Sequence, residues 1–486
     1  MVDRPTRKGD AVALTALVLA AGEGTRMKSK HCKVVHEVLG KPLVWWSVRS
    51  AREAGADRVI VVVGNGADEV RAIFADDPSV EFVEQKERLG TGHAVRVVRD
   101  AIGAFQGPTV VLYGDTPLVR AETIRALVDH SKAGHYACTV LTMDPPDPTG
   151  YGRIVRDESG EIAAIVEHKD CTPEQLLITE SNSGIYCFCG GRLTENVDKI
   201  TNDNVQGEYY ITDMLGIYKE MGEPVSAIKA PEYSELLGVN SRSQLAVATA
   251  VMQERINQRL MAEGVTMLSP SQVWVGPDVQ VGRDTVLMPQ TYLWGSTTIG
   301  EDCVIGPNTR LTNCQVGNGA SVEETVGYDT TIDDECTVGP RAYLRPGTHL
   351  MPGAHVGTHV EIKNSTIGAG SKVPHLSYIG DTTMGSGVNI GAGSITCNYD
   401  GVFKHRTTIG NDVFVGSDTM MVAPVELGDG ALVGASSCIT SDVPAGAIAL
   451  ERSEQVVLKG AATKRMASLR DQKAAQLLKA QQAKQA

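Results

Sequence analysis

The chain of 486 residues has few aromatic residues, no paired cysteine motif and no long uninterrupted apolar run. Phe, Trp and Tyr make up only 5% of it, which disfavours a β-sandwich core filled by rings. Its ten cysteines are scattered without the CxxC spacing of a zinc or redox site. We therefore expect reduced thiols and a cytoplasmic protein. No apolar stretch reaches the roughly 20 residues that a membrane-spanning helix requires.

An excess of basic residues is absent as well, since 58 acidic residues outnumber 45 basic ones and the net charge is −13. This balance argues against nucleic acid or an acidic membrane as the main partner. The start of the chain resembles a signal peptide, because Arg4, Arg7 and Lys8 precede an apolar run at residues 11–21. Cleavage there would remove the loop at residues 19–27, so we expect a buried first strand instead.

The second half of the chain contains a glycine with a preceding aliphatic residue that recurs every six residues. A hexapeptide repeat predicts a parallel β-helix, with the aliphatic residue inside and the glycine near a corner. Gly282 and Gly300 are separated by three repeats, as are Gly339 and Gly357, so each pair is expected to stack one coil above the other. The alternative is a glycine-rich β-sandwich whose turns are regularly spaced by chance. The recurring pairs are Val275-Gly276, Val281-Gly282, Ile299-Gly300, Ile305-Gly306, Met384-Gly385, Ile390-Gly391, Ile409-Gly410, Val415-Gly416, Leu427-Gly428 and Val433-Gly434.

The repeat is interrupted twice, between Gly306 and Gly317 and between Gly391 and Gly410. We expect insertions at both places, which would leave the coil as loops.

The first half alternates short aliphatic runs with segments of helical length, which predicts a doubly wound α/β sheet. Residues 241–264 carry apolar residues at helical spacing and end on Gly264, so they predict a connecting helix. The predicted domains are 1–240 (α/β), 241–264 (helical linker), 265–452 (left-handed parallel β-helix) and 453–486 (polar tail). The expected strands are Leu14–Ala20, Val59–Val63, Thr109–Tyr113, Cys138–Thr142 and Ile185–Phe188.

The first expected strand is followed by a loop rich in small residues. Gly22 and Gly24 allow backbone N–H groups to approach a phosphate chain, and Arg26 adds positive charge. The spacing lacks the third glycine of a dinucleotide fingerprint and the lysine of a P-loop, which excludes a Rossmann dehydrogenase and a P-loop ATPase. Asp115 ends another strand, which places it at the ligand-binding edge of the sheet unless it merely caps a turn.

Together these motifs resemble the sugar-nucleotide pyrophosphorylase family, and the resemblance spans nearly the whole first half. It implies nucleotidyl transfer, in which a sugar-1-phosphate oxygen attacks the α-phosphorus of a nucleoside triphosphate and pyrophosphate leaves. Such a step depends on positioning and charge neutralisation. The segments that carry the resemblance are residues 19–27 with Lys33, Gln85, 89–94, 113–115, 150–153, 167–169, 182–184 and 238–240.

The resemblance also implies residue roles. Asp115 and Asn240 would hold Mg²⁺, a hard ion suited to their oxygens. The sequence His31-Cys32 departs from the family, which usually has proline before the lysine. The remaining implied residues are Gln85, Gly90 and Thr91 for uracil, Leu19, Ala20, Ala21, Gly22, Tyr113 and Gly114 around the nucleotide, Arg26 and Lys33 for the phosphates, and Gly152, Glu167 and Asn182 for the sugar.

One part of the repeat region concentrates polar residues instead of following the repeat. Arg345, Lys363 and His375 recur near whole multiples of six residues, so we expect the three basic groups to converge on one face. An isolated histidine would be a surface residue, but this one stands among other polar candidates.

This polar segment resembles the acetyl-CoA-dependent hexapeptide acyltransferases. With the first half, residues 14–452 resemble the family of bifunctional enzymes that acetylate glucosamine-1-phosphate and then uridylylate it. The implied chemistry is attack of the sugar amine on a thioester, with His375 as general base. Ser377 replaces the usual threonine. The other implied residues are Arg345 and Lys363 for the sugar phosphate, Tyr378 and Asn389 for the sugar, and Ala392, Asn398, Tyr399, Ser417, Ala435 and Arg452 for acetyl-CoA.

The sequence thus predicts a cytoplasmic homotrimer that makes UDP-N-acetylglucosamine from UTP, acetyl-CoA and the amino-sugar phosphate for cell-wall synthesis, with Mg²⁺ as cofactor and no nucleic acid or membrane partner. One alternative is a monofunctional pyrophosphorylase whose coils only regulate or oligomerise. Another is a trimeric scaffold that binds sugar nucleotides without catalysis.

Overall fold

The computed structural model describes residues 13–22, 24–105, 107–204 and 206–485. The basic residues Arg4, Arg7 and Lys8 of the signal-like segment lie outside this range. The chain divides into two compact units, the first ending at Cys314 and the second beginning at Gln315. Every helix within the described part is too short or too polar to span a bilayer.

Eleven strands belong to the α/β part of the first unit. They are β1 Thr15–Ala20, β2 Glu37–Val38, β3 Lys41–Pro42, β4 Arg58–Val63, β5 Val80–Glu84, β6 Pro108–Tyr113, β7 Cys138–Met143, β8 Arg153–Arg156, β9 Ile162–Val166, β10 Ser181–Cys189 and β11 Val225–Lys229. The α-helices of the described chain are α1 Leu43–Glu53, α2 Ala67–Ile73, α3 Thr91–Ile102, α4 Ala121–Ala133, α5 Gly190–Asn196, α6 Asp213–Glu220, α7 Arg242–Ala262 and α8 Ala461–Gln485.

The main sheet has the order β11-β7-β10-β6-β1-β4-β5, with β8 and β9 attached beside β10. Strand β1 is parallel to both neighbours, so that Leu19 lies opposite Val62 on one side and Tyr113 on the other. Strand β10 is antiparallel to β6 and β7. Both faces of the sheet are buried under helices, which explains why its central strands are continuous aliphatic runs. The carboxyl ends of β1 and β6 therefore meet at one edge, where such sheets bind ligands.

All five expected strands are confirmed. Strand β10 begins at Ser181, earlier than expected. It pairs with β7 on both sides of an irregularity between Asn182 and Tyr186. The sequence analysis missed β5, β8, β9 and β11, which are half-exposed at many positions and lack a continuous aliphatic run.

A helix is confirmed at the expected position, as α7 Arg242–Ala262. Ser241 caps its first turn by accepting a hydrogen bond from the Gln244 N–H. Gly264, with φ of +103°, follows the last turn in a conformation that favours glycine. The amide of Gln253 donates to the carbonyl of Val273 at 2.8 Å and that of Asn257 to the carbonyl of Pro270 at 2.8 Å. The helix is therefore tied to the first coil of the same unit.

Parallel coils begin in the first unit and make up most of the second. The first unit contains β12 Thr266–Met267, β13 Val273–Val275, β14 Gln280–Val281, β15 Val286–Leu287, β16 Thr291–Trp294, β17 Thr298–Ile299, β18 Val304–Ile305 and β19 Arg310–Thr312. They form three parallel sheets, in the orders β12-β15-β18, β13-β16-β19 and β14-β17.

The second unit has three flat faces. Face one contains β21 Ser321–Val322, β24 Thr337–Val338, β27 His355–Thr358, β30 Lys372–His375, β33 Asn389–Ile390, β36 Phe414–Val415, β39 Leu432–Val433 and β41 Ile448–Ala449. Face two contains β22 Val326–Tyr328, β25 Tyr343–Leu344, β28 Glu361–Lys363, β31 Tyr378–Gly380, β34 Ile395–Cys397, β37 Met420–Val422 and β40 Cys438–Ile439. Face three contains β20 Gln315–Val316, β23 Thr331–Ile332, β26 His349–Leu350, β29 Thr366–Ile367, β32 Thr382–Met384, β35 Thr407–Ile409 and β38 Val425–Leu427.

The glycine repeat has a direct steric cause in these coils. A Cβ on Gly282 would lie 2.5 Å from the carbonyl carbon of Gly300, and one on Gly391 would collide with the backbone of Ser417. Aliphatic residues before the glycines, such as Ile390 and Val415, are fully buried inside the prism. The parallel β-helix of hexapeptide repeats is thereby confirmed.

Only one of the two expected insertions is a loop. Residues 398–406 leave the coil between β34 and β35, and Tyr399, Val402 and Phe403 are exposed there. The expected insertion between Gly306 and Gly317 is wrong, because β19 begins at Arg310 and β20 at Gln315, one residue closer than the repeat requires. A shortened turn breaks the glycine spacing just as an insertion does.

Candidate active sites

A cavity of about 520 Å³ opens at the carboxyl ends of β1 and β6. Small side chains and glycines of the loop after β1 form one wall, as expected for backbone that approaches a phosphate chain. Of the predicted site residues, it is lined by Leu19, Ala20, Ala21, Gly22, Lys33, Gln85, Gly90, Thr91, Tyr113 and Asp115.

A three-residue ionic cluster lies at this cavity. The Lys33 ammonium donates to a carboxylate oxygen of Asp115 and, at 2.9 Å, to the amide oxygen of Asn240. The side chains of Lys33 and Asp115 are only 12% and 16% exposed. The cluster therefore brings together three residues that the sequence analysis assigned separately to phosphate and metal binding.

Local backbone geometry fixes the position of Lys33. Gly24 has a φ of +64°, and a Cβ there would collide with the Lys33 side chain. Lys33 begins a short 3-10 turn that follows Cys32, whose φ is −65°. That is the φ value that proline imposes, so Cys32 adopts the conformation of the proline found in the resembled family.

The segment expected to contact the base is held by hydrogen bonds from two directions. Gln85 is 5% exposed, and its amide donates to the Gly90 carbonyl at 3.1 Å. The Tyr209 N–H donates to the carbonyl of Leu89 at 2.7 Å, and the Ile211 N–H donates to the hydroxyl of Thr91 at 3.1 Å. A rigid edge of this kind suits hydrogen-bond recognition of a flat base.

The residues expected to hold the sugar do not line this cavity. A Cβ on Gly152 would lie 3.5 Å from a carboxylate oxygen of Glu167, so these two are neighbours. The Asn182 side chain is instead bonded within its own strand β10, its amide N–H donating to the Tyr186 hydroxyl at 2.7 Å and its amide oxygen accepting from the Gly184 N–H at 2.9 Å. The lining also lacks Arg26, Gly114 and Asn240. Arg26 is exposed, and Gly114 packs against Leu19, Ala20 and Val34.

Several acids and phenols around the site have shifted pKa values. Burial, together with Asp115, raises the pKa of Tyr113 and of Tyr151. Burial and the nearby Asp170 raise the pKa of Glu167. Burial and the charge of Glu167 raise the pKa of Asp213 to about 6. The region thus disfavours additional negative charge, so an anionic substrate requires the cations at the cavity.

The lining also includes residues that the sequence analysis missed. Glu208 follows a polar stretch that has no apolar periodicity and looks like an ordinary surface loop. Arg88 precedes the recognised Leu89–Ala94 motif, and its charge was the one available signal. The missed lining residues are Val34, Arg88 and Glu208, and Ala94 of the recognised motif also lines the cavity.

The donor set fits Mg²⁺ better than a softer metal. No group of three or more His, Cys, Asp or Glu side chains arranged for a metal ion occurs among the described residues. Asp115 and Asn240 supply two oxygens that already converge on one cationic nitrogen. Mg²⁺ takes few protein ligands and completes its shell with water and phosphate oxygens.

The predicted acetyl-transfer residues of the second unit divide between two corners. The first corner consists of the turns that follow the face-one strands, and it carries the predicted base. Residue pairing places Thr358 opposite His375 and Lys372 opposite Asn389, so that Ala392 continues the line directly above His375. Ser417 and Ala435 follow on the next two coils, where the N–H of Ser436 donates to the Ser417 carbonyl at 2.8 Å.

Glycines leave this corner narrow and smooth. A Cβ on Gly416 would collide with the backbone of Ala435, and one on Gly434 would lie 3.3 Å from the Arg452 guanidinium. His375, Ser417, Ala435 and Arg452 are exposed along it. The first corner is therefore a shallow exposed strip with an imidazole at one end.

The second corner consists of the turns that follow the face-two strands, and it carries the predicted phosphate ligands. Arg345 stacks directly beneath Lys363, because Leu344 pairs with Ile362. Arg345 pairs with Glu361 at 2.8 Å and Lys363 with Asp381 at 3.3 Å. Although burial opposes it, hydrogen bonds from Asn364, Asn398 and Lys363 lower the pKa of Asp381.

The same corner collects three further polar groups. The Asn398 amide donates to the buried Asp381 carboxylate at 2.5 Å and lies 3.5 Å from the Tyr378 hydroxyl. Lys404, in the projecting loop, was missed by the sequence analysis, and its pKa is lowered because its ammonium lies beside that of Lys363. Tyr399 projects into solvent from that loop. The second corner is therefore cationic and suited to a phosphate.

The expected convergence of Arg345, Lys363 and His375 on one face is wrong within one chain. Arg345 and Lys363 are one coil apart and stack, but His375 lies two thirds of a coil further on, at the other end of face two. Asn389 begins a face-one strand and lies at neither corner.

In comparisons with known proteins, the α/β part and the coils match different families. Residues 16–178 match the family described as the MobA-like NTP transferase domain. Residues 278–313 match the bacterial transferase hexapeptide family, and residues 406–441 match the hexapeptide repeat of succinyl-transferase.

Full-length relatives are similar over most of the chain. A protein of Geobacillus sp. (strain WCH70) is 46% identical over 91% of this chain and 96% of its own length. One of Heliobacterium modesticaldum is 49% identical over 91% of this chain and 96% of its own. One of Streptomyces avermitilis is 47% identical over 91% of this chain and 93% of its own. Each of the three is named bifunctional protein GlmU.

Proposed function

The chain belongs to the family of bifunctional GlmU proteins, and we propose that its two candidate sites perform the two steps of UDP-N-acetylglucosamine synthesis. The enzyme transfers acetyl from acetyl-CoA to glucosamine-1-phosphate and then uridylyl from UTP to the product, releasing pyrophosphate. The observation that carries this assignment is that each compact unit contains its own site, one with clustered oxygens at a cavity and one with an imidazole on a solenoid corner.

Uridylyl transfer takes place in the cavity of the first unit. The sugar-phosphate oxygen attacks the α-phosphorus, the new P–O bond forms and pyrophosphate leaves. Asp115 and Asn240 would hold Mg²⁺, which would supply neutralisation of the charge on the phosphates. Gln85, Gly90 and Thr91 contact uracil, and the small residues after β1 admit the phosphates. Lys33 and Arg26 add positive charge beside them.

The sugar binds beside Gly152, Glu167 and Asn182. Gly152 and Glu167 are adjacent, so a carboxylate is available to a sugar hydroxyl. Asn182 must exchange its hydrogen bonds to Tyr186 and Gly184 for any bond to a ligand.

Acetyl transfer takes place on the solenoid. The neutral His375 imidazole accepts a proton from the sugar amine, whose lone pair attacks the thioester carbonyl. The C–N bond forms, the C–S bond breaks, and the departing CoA sulfur is protonated. Acetyl-CoA lies along the first corner, where backbone N–H groups meet the carbonyl oxygen. The second corner binds the phosphate of glucosamine-1-phosphate, with Tyr378 on the sugar.

The separation of the two corners supports a homotrimer. Because His375 and Arg345 lie at opposite ends of face two, one chain does not bring base and phosphate ligands together. In a trimer of parallel prisms the first corner of one chain faces the second corner of its neighbour, which completes the site. Light scattering combined with assay across a dilution series tests this, and a fully active monomeric solenoid would exclude the shared site.

A cytoplasmic location is part of the proposal. All ten cysteines are unpaired thiols, most of them buried or half-buried, which suits a reducing compartment.

One set of incubations tests the whole assignment against its two alternatives. Purified protein receives glucosamine-1-phosphate, acetyl-CoA, UTP and Mg²⁺, each omitted in turn, and a parallel sample receives N-acetylglucosamine-1-phosphate in place of glucosamine-1-phosphate, while free thiol and pyrophosphate are followed. A bifunctional enzyme releases thiol without UTP but releases pyrophosphate only after acetylation. Pyrophosphate release from N-acetylglucosamine-1-phosphate with no thiol release would identify a monofunctional pyrophosphorylase. Absence of both products would identify a binding scaffold.

A further inference from the structure

Lys33 contacts both oxygens that the proposed metal site requires. Its ammonium donates to the Asp115 carboxylate and, at 2.9 Å, to the Asn240 amide oxygen. These residues lie on three separate segments, the 3-10 turn after the first loop, the end of β6 and the segment before α7. A lysine that merely lined the cavity would not need to reach both.

The contact is built into the fold. The Lys33 side chain is 12% exposed and its stem packs against Gly24, where no other residue leaves room for it. Asp115 is held from its other side, because its backbone carbonyl accepts a hydrogen bond from the Val239 N–H at 2.8 Å. The ammonium therefore neutralises a largely buried carboxylate, which would otherwise be costly to keep ionised.

Two cations compete for such a pair of oxygens. An ammonium binds them through hydrogen bonds, whereas Mg²⁺ requires oxygens at about 2.0–2.1 Å in octahedral geometry. Charges of the same sign a few ångströms apart repel strongly in a partly buried site. The Lys33 side chain has the length to swing from the oxygens into the adjoining cavity, which it already lines.

We propose that Lys33 is a built-in counter-cation of the metal site, which competes with Mg²⁺ for Asp115 and Asn240 and moves to the nucleotide phosphates when the metal binds. The proposal rests on the proposed function, since it takes Asp115 and Asn240 to be metal ligands. Lys33 then has two partners in sequence, Asp115 with Asn240 before the metal binds and the phosphates afterwards. Metal binding and phosphate binding reinforce each other, because each draws the Lys33 ammonium away from Asp115 and Asn240.

Metal binding to the full-length protein, without nucleotide, tests the proposal. Mn²⁺ affinity is measured by electron paramagnetic resonance for the wild type, Lys33→Met and Lys33→Arg. Lys33→Met keeps the stem but removes the charge, so Mn²⁺ is expected to bind about tenfold more tightly, while Lys33→Arg stays near the wild type. Lys28→Met, which removes an exposed charge from the same segment, is expected to change the affinity less than about twofold.

Unchanged or weaker Mn²⁺ binding in Lys33→Met would overturn the proposal. The same result in Lys28→Met as in Lys33→Met would also overturn it, because the effect would then be general electrostatics. Asp115→Asn, introduced into the otherwise wild-type protein, must abolish Mn²⁺ binding; if binding persists in that variant, the metal site of the proposed function fails and this inference fails with it. Far-UV circular dichroism of each variant, compared with the wild type, checks that the α/β part is folded.

A second measurement separates the counter-cation role from packing alone. In the presence of a chelator, Lys33→Met is expected to unfold at a lower temperature than the wild type, because Asp115 loses its partner. Excess Mg²⁺ is expected to remove this difference in melting temperature. A deficit that Mg²⁺ leaves unchanged would overturn the charge-balancing role.

Discussion

In the α/β part of the chain, candidate residues that are far apart in sequence line a single cavity, whereas in the second unit they divide between two corners of a prism. Lys33, Asp115 and Asn240 meet because the 3-10 turn after the first loop and the segment before α7 both pack at the edge of the sheet where β6 ends. Arg345 and Lys363 meet because they are one full coil apart. His375 lies at a different corner because it is not a whole number of coils from either of them. A doubly wound sheet therefore completes a site within one chain, while a solenoid of this kind leaves each corner half a site.

This comparison predicts that the two activities fail independently. Asp115→Ala removes the carboxylate from the ionic cluster and should reduce uridylyl transfer by about 10³-fold or more, because the phosphates then lose their cation. Acetyl transfer, which uses the second unit, should stay at the wild-type rate. Pyrophosphate and thiol release from the same preparation measure both, with Asp129→Ala, which removes an exposed acid on α4, as the matched control. Normal pyrophosphate release at ordinary Mg²⁺ would contradict the metal assignment.

The reciprocal change is His375→Ala. Removing the base should slow thiol release by roughly 10²- to 10⁴-fold, with pyrophosphate release from N-acetylglucosamine-1-phosphate unaffected. His359, an exposed histidine one coil below at the same corner, provides the matched control as His359→Ala. Equal losses in both variants would show that the corner, not the imidazole of His375, matters.

The glycine repeat offers a way to damage one region only. In Gly391→Ala the new Cβ collides with the backbone of Ser417, whereas in Gly276→Ala it makes ordinary contacts at 3.5 Å. Gly391→Ala should lower the free energy of unfolding by about 1–3 kcal/mol and weaken acetyl transfer, while Gly276→Ala should change it little. Urea denaturation followed by circular dichroism compares them. Equal stability of the two variants would contradict the steric explanation.

Truncation tests where the first region ends. A chain that stops near Arg259 keeps Asn240 and should retain uridylyl transfer as a monomer, but it loses the hydrogen bonds from Gln253 and Asn257 to the first coil. A chain that stops at Cys314 keeps them and should unfold at a temperature higher by about 4 °C. A chain that begins near Gly264 should form a trimer and acetylate glucosamine-1-phosphate. Calorimetry decides whether the first domain ends near Arg259 or at Cys314. Equal midpoints of thermal unfolding for these two chains would support a domain end before the coils.

The smallest expected effect concerns Asp213, whose pKa is raised to about 6 by burial and by Glu167. Because the folded chain then holds this proton more tightly than the unfolded chain, the group favours folding increasingly as pH falls through 6, and its ionised form opposes folding above that value. Asp213→Asn should therefore raise the melting temperature by about 2 °C at pH 8, and the gain should disappear towards pH 4. A gain of the same size at both pH values would contradict the shifted pKa.

Much of the fold was predictable because it depends on local periodicity. Aliphatic runs such as Val59–Val63 identify buried strands whatever their partners, and a glycine every six residues identifies a coil whose neighbours leave no room for a side chain. The missed strand β5 is only partly buried, because it lies at the edge of the sheet, and its short pattern is shared by many loops. The shortened turn before Gln315 was mistaken for an insertion because both disrupt the same spacing.

The sequence by itself determined the two architectures, the connecting helix and most of the chemically equipped residues, because each is encoded within a few consecutive residues. Only the tertiary structure decided which of those residues meet. Packing of the segment before α7 against the end of β6 brings Asp115 and Asn240 to the same ammonium, and the hydrogen bonds of Tyr209 and Ile211 fix the edge at Gly90 and Thr91. Coil register separates His375 from Arg345. The physical reason is that contacts between distant segments depend on how strands pair and coils stack, and no local pattern of side chains specifies that pairing.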